Sequence, residues 1–298
     1  ERCKELVSTT REDMMIPDAD VPSGDSSQRW RKHEYVSFSD VFFARQLVAI
    51  DAIAKAIMQV VPEDESSYRD SFLTCLSNSL EYNNSMVPYN FPHRKLHHLF
   101  THHALPVTMM PVENNVLGTG KEGSGTFTKC VQRYRKGKAY SQNVFDGYKH
   151  AEFPGIRKIS SDETIQATIV DQIGRLEEGN GKFALLKQGD SSQIRLPARR
   201  STATVFEKSV DLVVTDPPYY DSVHYSELAN FFYVWLRAFR PGIGPFSMPL
   251  IDAEREAIVN KKHGKGAQEY EDIMTAVFKS CHHVLKLGGA WPPGSKAT

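Results

Sequence analysis

The stretch VDLVVTDPPYY, residues 210–220, constrains the fold of this chain more than any other part of the sequence. It joins five residues of buried-strand character to a turn with two consecutive prolines. A strand that is apolar on both faces is typical of the centre of a parallel sheet. Pro217 and Pro218 fix φ and lack an N–H, so strand pairing cannot continue through them. The pattern predicts a rigid turn at the carboxyl end of a central strand, where open α/β sheets bind ligands.

The residue types in this turn predict the kind of ligand. The Asp216 carboxylate and the Pro217 carbonyl are two acceptors that can converge on one point, and Tyr219 adds a ring beside them. A planar group that carries an NH2 fits such a site, because its amine donates to both acceptors while its ring stacks. An exocyclic base amine is a poor nucleophile, and two acceptors would stabilise the positive charge that develops when it attacks a methyl group. A base in duplex DNA would first be flipped out.

Aromatic residues continue directly after the turn, in HYSELANFFYVWL. Several apolar side chains there fall at helical steps and predict the buried face of a helix rather than a ligand contact. These residues are Tyr225, Leu228, Phe232 and Trp235. Tyr220, Asp221 and His224 lie nearer the strand end, and we predict that they line the base pocket.

Hydrophobic periodicity predicts the remaining elements. Residues 1–36 are polar and read as a loop or frayed segment. A helical region, 37–158, begins with helices from Ser39 or Asp40 to Val61 and from Tyr68 to Tyr82. In residues 159–298, a capped helix at 160–179, strands at 182–190 and 210–214, helices at 226–239 and 267–285, and the strand-like LKLGGA alternate. This order predicts an α/β fold with a parallel sheet and right-handed crossovers.

TDPPYY after VDLVV resembles the catalytic motif of S-adenosyl-L-methionine-dependent amino-methyltransferases that act on adenine N6. The longer run DPPYYDSVHYSELANFFYVWLR is similar to a group of large bacterial and archaeal adenine-specific DNA methylases, some with a zinc ribbon. FFARQLVAIDAIAKAI, LEYNNSM, HHALPVTMMPVENN, KQGDSS, EREAIVN and VLKLGG fall in an order similar to that group's.

The resemblance implies a Rossmann-like methyltransferase sheet with a helical segment before the DPPY half, S-adenosyl-L-methionine as cofactor and DNA as partner. It implies that Asp216, Pro217, Pro218 and Tyr219 form the catalytic motif. It also implies that Gly189 and Asp190 lie near the adenosine of the cofactor.

This chain departs from the group at the cofactor site. The D-P-F-x-G-x-G turn and the acid for the ribose are absent from the sequence. We therefore expect an incomplete sheet that holds the target-base half of the site and part of the cofactor half. The glycine-rich motif would come from the remainder of a longer polypeptide.

Two segments in the middle of the chain invite a nucleic-acid interpretation. ENNVLGTGKEGSGTF, residues 113–127, lacks the Gly-Lys-Ser/Thr ending of a P-loop and the preceding strand of a dinucleotide fingerprint, and predicts a flexible loop that faces substrate. The next segment is basic, with aromatics interleaved, and is either a solvated face or a groove for a nucleic-acid backbone. Its cations are Lys129, Arg133, Arg135, Lys136 and Lys138, and its aromatics are Tyr134 and Tyr140.

Histidine and cysteine spacing argues against a metal site. Five histidines occupy residues 93–103, and some have helical i,i+4 spacing, but the Glu of H-E-x-x-H is missing. We predict a solvated or phosphate-facing helix that carries His93, His97, His98, His102 and His103. The four cysteines show no C-x-x-C pair and predict reduced thiols in or near the core.

Charge and hydropathy restrict the classes of function. Lys plus Arg and Asp plus Glu are both 36, so no net field steers the chain to nucleic acid, and a DNA surface must be a local patch. No signal peptide and no membrane-spanning run is visible, which predicts a cytoplasmic protein.

Methylation of adenine N6 is the favoured function, because cytosine enzymes of this kind often have Ser where this motif has Asp. Methylation of cytosine N4 or of an RNA base, a nucleic-acid-binding fragment without catalysis, and a histidine-based metalloenzyme remain open.

Overall fold

The computed structural model describes residues 1–119, 123–142, 145–149, 156–160, 210–212, 216–242 and 244–290. Its helices are α1 (Arg2–Thr10), α2 (Gln28–Lys32), α3 (Ala44–Val60), α4 (Ser66–Leu80), α5 (Phe127–Gln142), α6 (Tyr225–Phe239) and α7 (Ala267–Val284). Its strands are β1 (Tyr89–Asn90), β2 (Lys95–Leu96), β3 (Phe145–Lys149), β4 (Ile156–Ser160), β5 (Val210–Leu212) and β6 (Leu285–Ala290). None of the helices in these ranges is long and apolar enough to cross a bilayer.

The chain forms two compact units, one made of residues 1–131 and 198–298 and the other of 132–197. These limits differ from the expected division at residues 36 and 158. Within the described part of the second unit, β3 and β4 pair antiparallel with Phe145 opposite Ser160. Ser160, where the helix predicted at 160–179 was expected to begin, is the last residue of β4, and the rest of that helix and the strand predicted at 182–190 lie outside the described residues.

Helices α3 and α4 confirm the two helices predicted from periodicity. Leu47, Ile50, Ala54 and Ile57 of α3 are buried at steps of three and four residues, as an amphipathic helix requires. The expected cap at Ser39 or Asp40 is wrong. The Phe43 N–H donates instead to the side-chain oxygen of Gln46 at 3.1 Å. Asp40 closes the preceding turn by accepting from the Ser37 N–H at 2.7 Å.

Helix α6 is the centre of the core in the first unit. Its fully buried side chains Phe231, Trp235 and Phe239 recur at four-residue steps, and Leu228 extends the stripe. The predicted face is therefore partly correct, because Leu228 and Trp235 are buried while Tyr225 is exposed. The face is rotated towards Phe42, whose ring stacks on Phe231 at 5.9 Å and meets Trp235 edge-on at 4.9 Å.

The N-terminal 36 residues are part of this core, so the expectation of a frayed segment is wrong. Trp30 of α2 is fully buried, meets Phe231 edge-on at 6.3 Å, and donates from Nε1 to the Pro106 carbonyl at 2.8 Å. Val21 is also fully buried. The segment shows no apolar periodicity, because single large side chains rather than a continuous face enter the core. Burial of a Trp and a Val provides several kcal/mol, at about 1.5–3 kcal/mol for a large apolar side chain.

Strands β5 and β6 pair in parallel, with Val210 opposite Leu285 and Leu212 opposite Ala290. Helices α6 and α7 lie between them in the sequence, and both were predicted. The two parallel strands place their carboxyl ends at the same edge of this two-stranded sheet, and the DPPY sequence follows β5 in the chain.

Candidate active site

The DPPY turn presents a carboxylate and a phenol at the surface. The Tyr219 hydroxyl donates to Asp216 Oδ1 at 2.7 Å, and Tyr219 is 65% exposed. This hydrogen bond, together with the negative charge of Asp216, raises the pKa of the Tyr219 phenol. Tyr219 therefore stays protonated and remains a donor to Asp216 at neutral pH.

The two proline carbonyls have different surroundings. The Pro218 carbonyl accepts from the Tyr270 hydroxyl at 3.0 Å, which attaches the turn to α7. Within the described ranges, the Pro217 carbonyl accepts no hydrogen bond. The turn is closed by the Ser222 N–H, which donates to the Tyr219 carbonyl at 2.8 Å. Asp216 and Pro217 thus keep acceptor capacity while Pro218 and Tyr219 hold the shape of the turn.

Tyr220 adopts a strained backbone conformation at the end of the motif. Its φ is +32°, a region that a bulky residue rarely occupies. Two contacts hold it there. Its carbonyl accepts from the Val259 N–H at 2.8 Å, and its ring meets Tyr270 edge-on at 5.5 Å. Strain at functional turns persists only when neighbouring elements fix the conformation.

The loop at residues 251–266 supports the turn and is closed by one buried ammonium group. Lys265 Nζ donates to the carbonyls of Ala253 at 2.9 Å and Glu254 at 3.1 Å, and also to that of Glu256. Burial lowers the pKa of Lys265. The Glu256 carboxylate accepts from the N–H and hydroxyl of Ser226 at 3.1 and 2.6 Å, and so caps the first turn of α6.

Glu227 holds the N-terminal segment onto α6. This carboxylate is only 2% exposed and accepts three consecutive backbone N–H groups, from Asp25 at 3.0 Å, Ser26 at 2.9 Å and Ser27 at 3.0 Å. It also accepts from Asn260 Nδ2 at 3.3 Å. Successive N–H groups of this kind form a concavity for anions.

Sequence reasoning missed the role of Glu227. The available signal was an acid at the start of an otherwise apolar helical run, SELANFF. The approach of the two segments also explains Gly24, because a Cβ there would lie 2.3 Å from Glu227 Oε2.

The structure brings some of the predicted base-pocket residues together and separates another. Tyr220 and Asp221 are exposed beside Tyr219 on the turn. His224 is buried instead, with Nε2 3.6 Å from Asp25 Oδ2. Lys262 Nζ lies 2.8 Å from Asp25 Oδ1, and its hydrogen bond lowers the pKa of Asp25. His224 therefore faces the N-terminal segment.

The basic segment belongs to helix α5 (Phe127–Gln142), whose sixteen residues include no acid. It is helical, not a flexible chain. Arg133, Lys136 and Tyr140 follow each other at steps of three and four residues, so they share one face of the helix, and all three are exposed. Lys129 is half-buried, Arg135 and Lys138 are exposed, and Lys138 Nζ lies 5.6 Å from the Tyr134 ring centre. The helix fixes the spacing of these cations.

Hydrogen bonds and close packing hold the described parts of the glycine-rich loop, residues 113–119 and 123–126. The prediction of a flexible loop is wrong for these residues. The N–H groups of Phe127 and Thr128 donate to the carbonyls of Val116 at 2.8 Å and Leu117 at 3.1 Å. Gly125 has φ +72°, and a Cβ there would lie 1.9 Å from Tyr82 Cγ. Gly125 therefore provides both the close packing against Tyr82 and the left-handed backbone conformation that a residue with a Cβ would not allow.

The histidine-rich segment is not a helix, which corrects the predicted third helix. It contains β2 and a series of turns, and His103 has φ +50°. The Nδ1 atom of His98 lies 2.6 Å from Glu81 Oε1, so this histidine is an ion-pair partner when protonated. In the part of the chain that the structure describes, no three His, Cys, Asp or Glu residues are grouped to hold a metal ion.

None of the four cysteines forms a disulfide, and Cys75, Cys130 and Cys281 are buried. Burial raises the pKa of the Cys75 thiol to about 11. A protonated, buried thiol is a poor nucleophile.

Gly189 and Asp190, the residues expected beside the cofactor, lie outside the described residues. The DPPY turn itself presents an exposed carboxylate, exposed phenol rings, and the Pro217 carbonyl, which accepts no hydrogen bond from the described residues. No family model, curated protein or solved structure matches the chain.

Proposed function

We propose that the protein transfers a methyl group from S-adenosyl-L-methionine to the exocyclic N6 amine of adenine in DNA. The observation that carries this proposal is the DPPY turn after β5. Its Asp216 is exposed and accepts a hydrogen bond from the Tyr219 hydroxyl, and its Pro217 carbonyl keeps the capacity to accept one. The parallel pairing of β5 and β6 supports a Rossmann-like methyltransferase sheet. We place the protein in the cytoplasm with its DNA substrate.

The described residues act on the target base. The two amine hydrogens of adenine would be accepted by Asp216 and by the Pro217 carbonyl, and the Tyr219 ring would stack on the base. The new N–C bond would form as the S–CH3 bond breaks and S-adenosyl-L-homocysteine leaves, the negative carboxylate would stabilise the positive charge that develops on the amine, and the methylated amine would then release one proton. The Asp216–Tyr219 hydrogen bond leaves Asp216 Oδ2 as the oxygen that faces an incoming amine first, because Oδ1 is occupied.

The cofactor would supply the electrophilic methyl group. Among the described residues no glycine-rich turn follows a strand. We therefore assign no described residue to cofactor binding, and Gly189 and Asp190 stay predictions.

Product analysis tests the proposal. The intact protein is incubated with DNA and S-adenosyl-L-methionine that carries a labelled methyl group, and the DNA is digested to nucleosides and separated. We expect the label in N6-methyldeoxyadenosine. Label in N4-methyldeoxycytidine would show that the substrate is cytosine N4 in DNA. Label found only with an RNA substrate would show that the enzyme methylates RNA. DNA binding without labelled product would indicate a catalytically incomplete binding module.

We propose that α5 contacts DNA phosphates rather than bases, since its cations lie on a helix without acids and most are exposed. Replacement of Arg133, Arg135 and Lys136 by Ala should weaken binding about equally for all DNA sequences. The slope of log affinity against log salt should become shallower by about 0.9 for each lost contact.

Fluorescence anisotropy titrations at several salt concentrations measure this slope. The matched control replaces three exposed cations outside α5, namely Arg2, Lys4 and Lys279, and should leave the slope unchanged. An unchanged slope in the α5 variant would show that α5 is a solvated surface that makes no contact with DNA phosphates. A loss limited to one DNA sequence would make these residues base readers.

A further inference from the structure

A short hairpin outside the DPPY turn carries two exposed aromatic rings. Strands β1 and β2 pair antiparallel, with Tyr89 opposite Leu96 and Asn90 opposite Lys95, and residues 91–94 form the connection. We call residues 89–96 the aromatic hairpin. Tyr89 is 36% exposed and Phe91 is 62% exposed. These two side chains therefore present apolar ring surface to solvent, and what distinguishes them is that they lie together on one hairpin.

The hairpin holds its rings in a fixed arrangement. The centres of the Tyr89 and Phe91 rings are 4.9 Å apart, with the planes at 85°. The His97 N–H donates to the Pro88 carbonyl at 2.9 Å, and the Arg94 N–H donates to the Phe91 carbonyl at 3.2 Å. Pro92 restricts the connection further. Rings that are already ordered lose less entropy when a ligand stacks on them.

The charge around these rings favours a polyanion. Residues 82–112 contain Arg94, Lys95 and five histidines, and no Asp or Glu. Arg94 and Lys95 are exposed, as is His93 at the tip of the hairpin. The nearest acid in sequence is Glu81, whose Oε1 lies 2.6 Å from His98 Nδ1. Exposed aromatics beside cations are the combination by which proteins bind single-stranded nucleic acid, since rings stack on bases and cations meet phosphates.

We propose that the aromatic hairpin is a binding site for single-stranded DNA, with Tyr89 and Phe91 as stacking platforms and Arg94 and Lys95 as phosphate contacts. This site is separate from the proposed methyl-transfer chemistry. Stacking needs only the face of a base, so the site takes thymine as well as adenine, whereas the DPPY turn requires an amine.

An oligothymidylate contains no exocyclic amine, so it tests stacking at the hairpin without a contribution from the DPPY turn, while phosphate contacts by α5 stay the same in every hairpin variant. With fluorescein-labelled dT oligonucleotides, the Tyr89→Ala/Phe91→Ala double variant should bind about tenfold to a hundredfold more weakly than the unchanged chain. The Tyr89→Phe variant should bind like the unchanged chain, because it keeps the ring. The Arg94→Gln/Lys95→Gln variant should make the salt slope shallower by about 0.7 for each cation.

The matched control is Tyr68→Ala, which removes an exposed tyrosine from α4 and should change nothing. As a second measurement, an oligonucleotide with 5-iodouracil is cross-linked by ultraviolet light, and the modified peptide should contain residues 89–96. Equal oligothymidylate binding by the unchanged chain and the double aromatic variant would overturn the proposal. Cross-linking confined to other peptides would overturn it as well.

Because the probe offers no adenine, this result is independent of the methyl-transfer assay. A hairpin that binds oligothymidylate stands even if no N6-methyldeoxyadenosine is found. A methyltransferase whose hairpin binds no oligothymidylate would disprove the hairpin proposal alone.

Discussion

Substitution of Asp216 by Ala is expected to lower the rate of methyl transfer by the intact protein about a hundred- to a thousand-fold, the usual cost of one lost preorganised partner of the transition state. Asp216 is exposed and supplies the one carboxylate in the DPPY sequence, so its loss removes the negative acceptor for the amine. The fold should persist, because the side chain is not part of the core. Single-turnover kinetics with labelled cofactor measures the rate, and circular dichroism monitors the fold.

The matched control for this variant is Asp64→Ala, which removes an exposed carboxylate from the short helical turn Glu63–Glu65. It should retain the rate of the unchanged protein. Near-normal turnover by the Asp216 variant, with an unchanged circular dichroism spectrum, would remove Asp216 from the mechanism. A loss of turnover in both variants would point to a nonspecific effect of charge.

Substitution of Glu227 by Ala is expected to cause the largest loss of stability. The change leaves the backbone N–H groups of Asp25, Ser26 and Ser27 without their acceptor, in partly buried positions for Asp25 and Ser26 and in a buried position for Ser27. A buried donor left without its acceptor costs about 1–3 kcal/mol, so the loss of three such contacts should lower the free energy of unfolding by about 3–5 kcal/mol. At about 2–4 °C per kcal/mol for a unit of this size, the midpoint of thermal unfolding should fall by about 10 °C.

Differential scanning calorimetry of the unchanged chain and the variant measures this midpoint. Glu271→Ala on α7 is the matched control, because this Glu is exposed and its loss should shift the midpoint little. Gly24→Ala should destabilise by an independent route, since its Cβ would lie 2.3 Å from Glu227 Oε2. Midpoints for Glu227→Ala and Gly24→Ala that match the control would show that the N-terminal segment is not held by Glu227.

Local sequence patterns determined a large part of this protein. The helices α3, α4, α6 and α7 follow from apolar residues at three- and four-residue steps, because helix periodicity is fixed by neighbouring residues. The turn after β5 follows from Pro217 and Pro218, whose backbone restrictions act locally. Helix α5 could have been predicted in the same way, but its charge run was interpreted as a surface patch, and Gly137 weakened the helical signal.

Only the tertiary structure decided the contacts between distant segments. Asp25 and Glu227 are 202 residues apart, yet the N–H of one donates to the carboxylate of the other. That contact orders a segment whose polar composition predicted a frayed chain, and the same segment turns His224 away from the expected base pocket. In the histidine-rich segment, pairing of Tyr89 with Leu96 replaced the predicted helix. Hydrophobic periodicity reports only how neighbouring residues share a face, whereas these features depend on which surface a segment meets after the chain has folded.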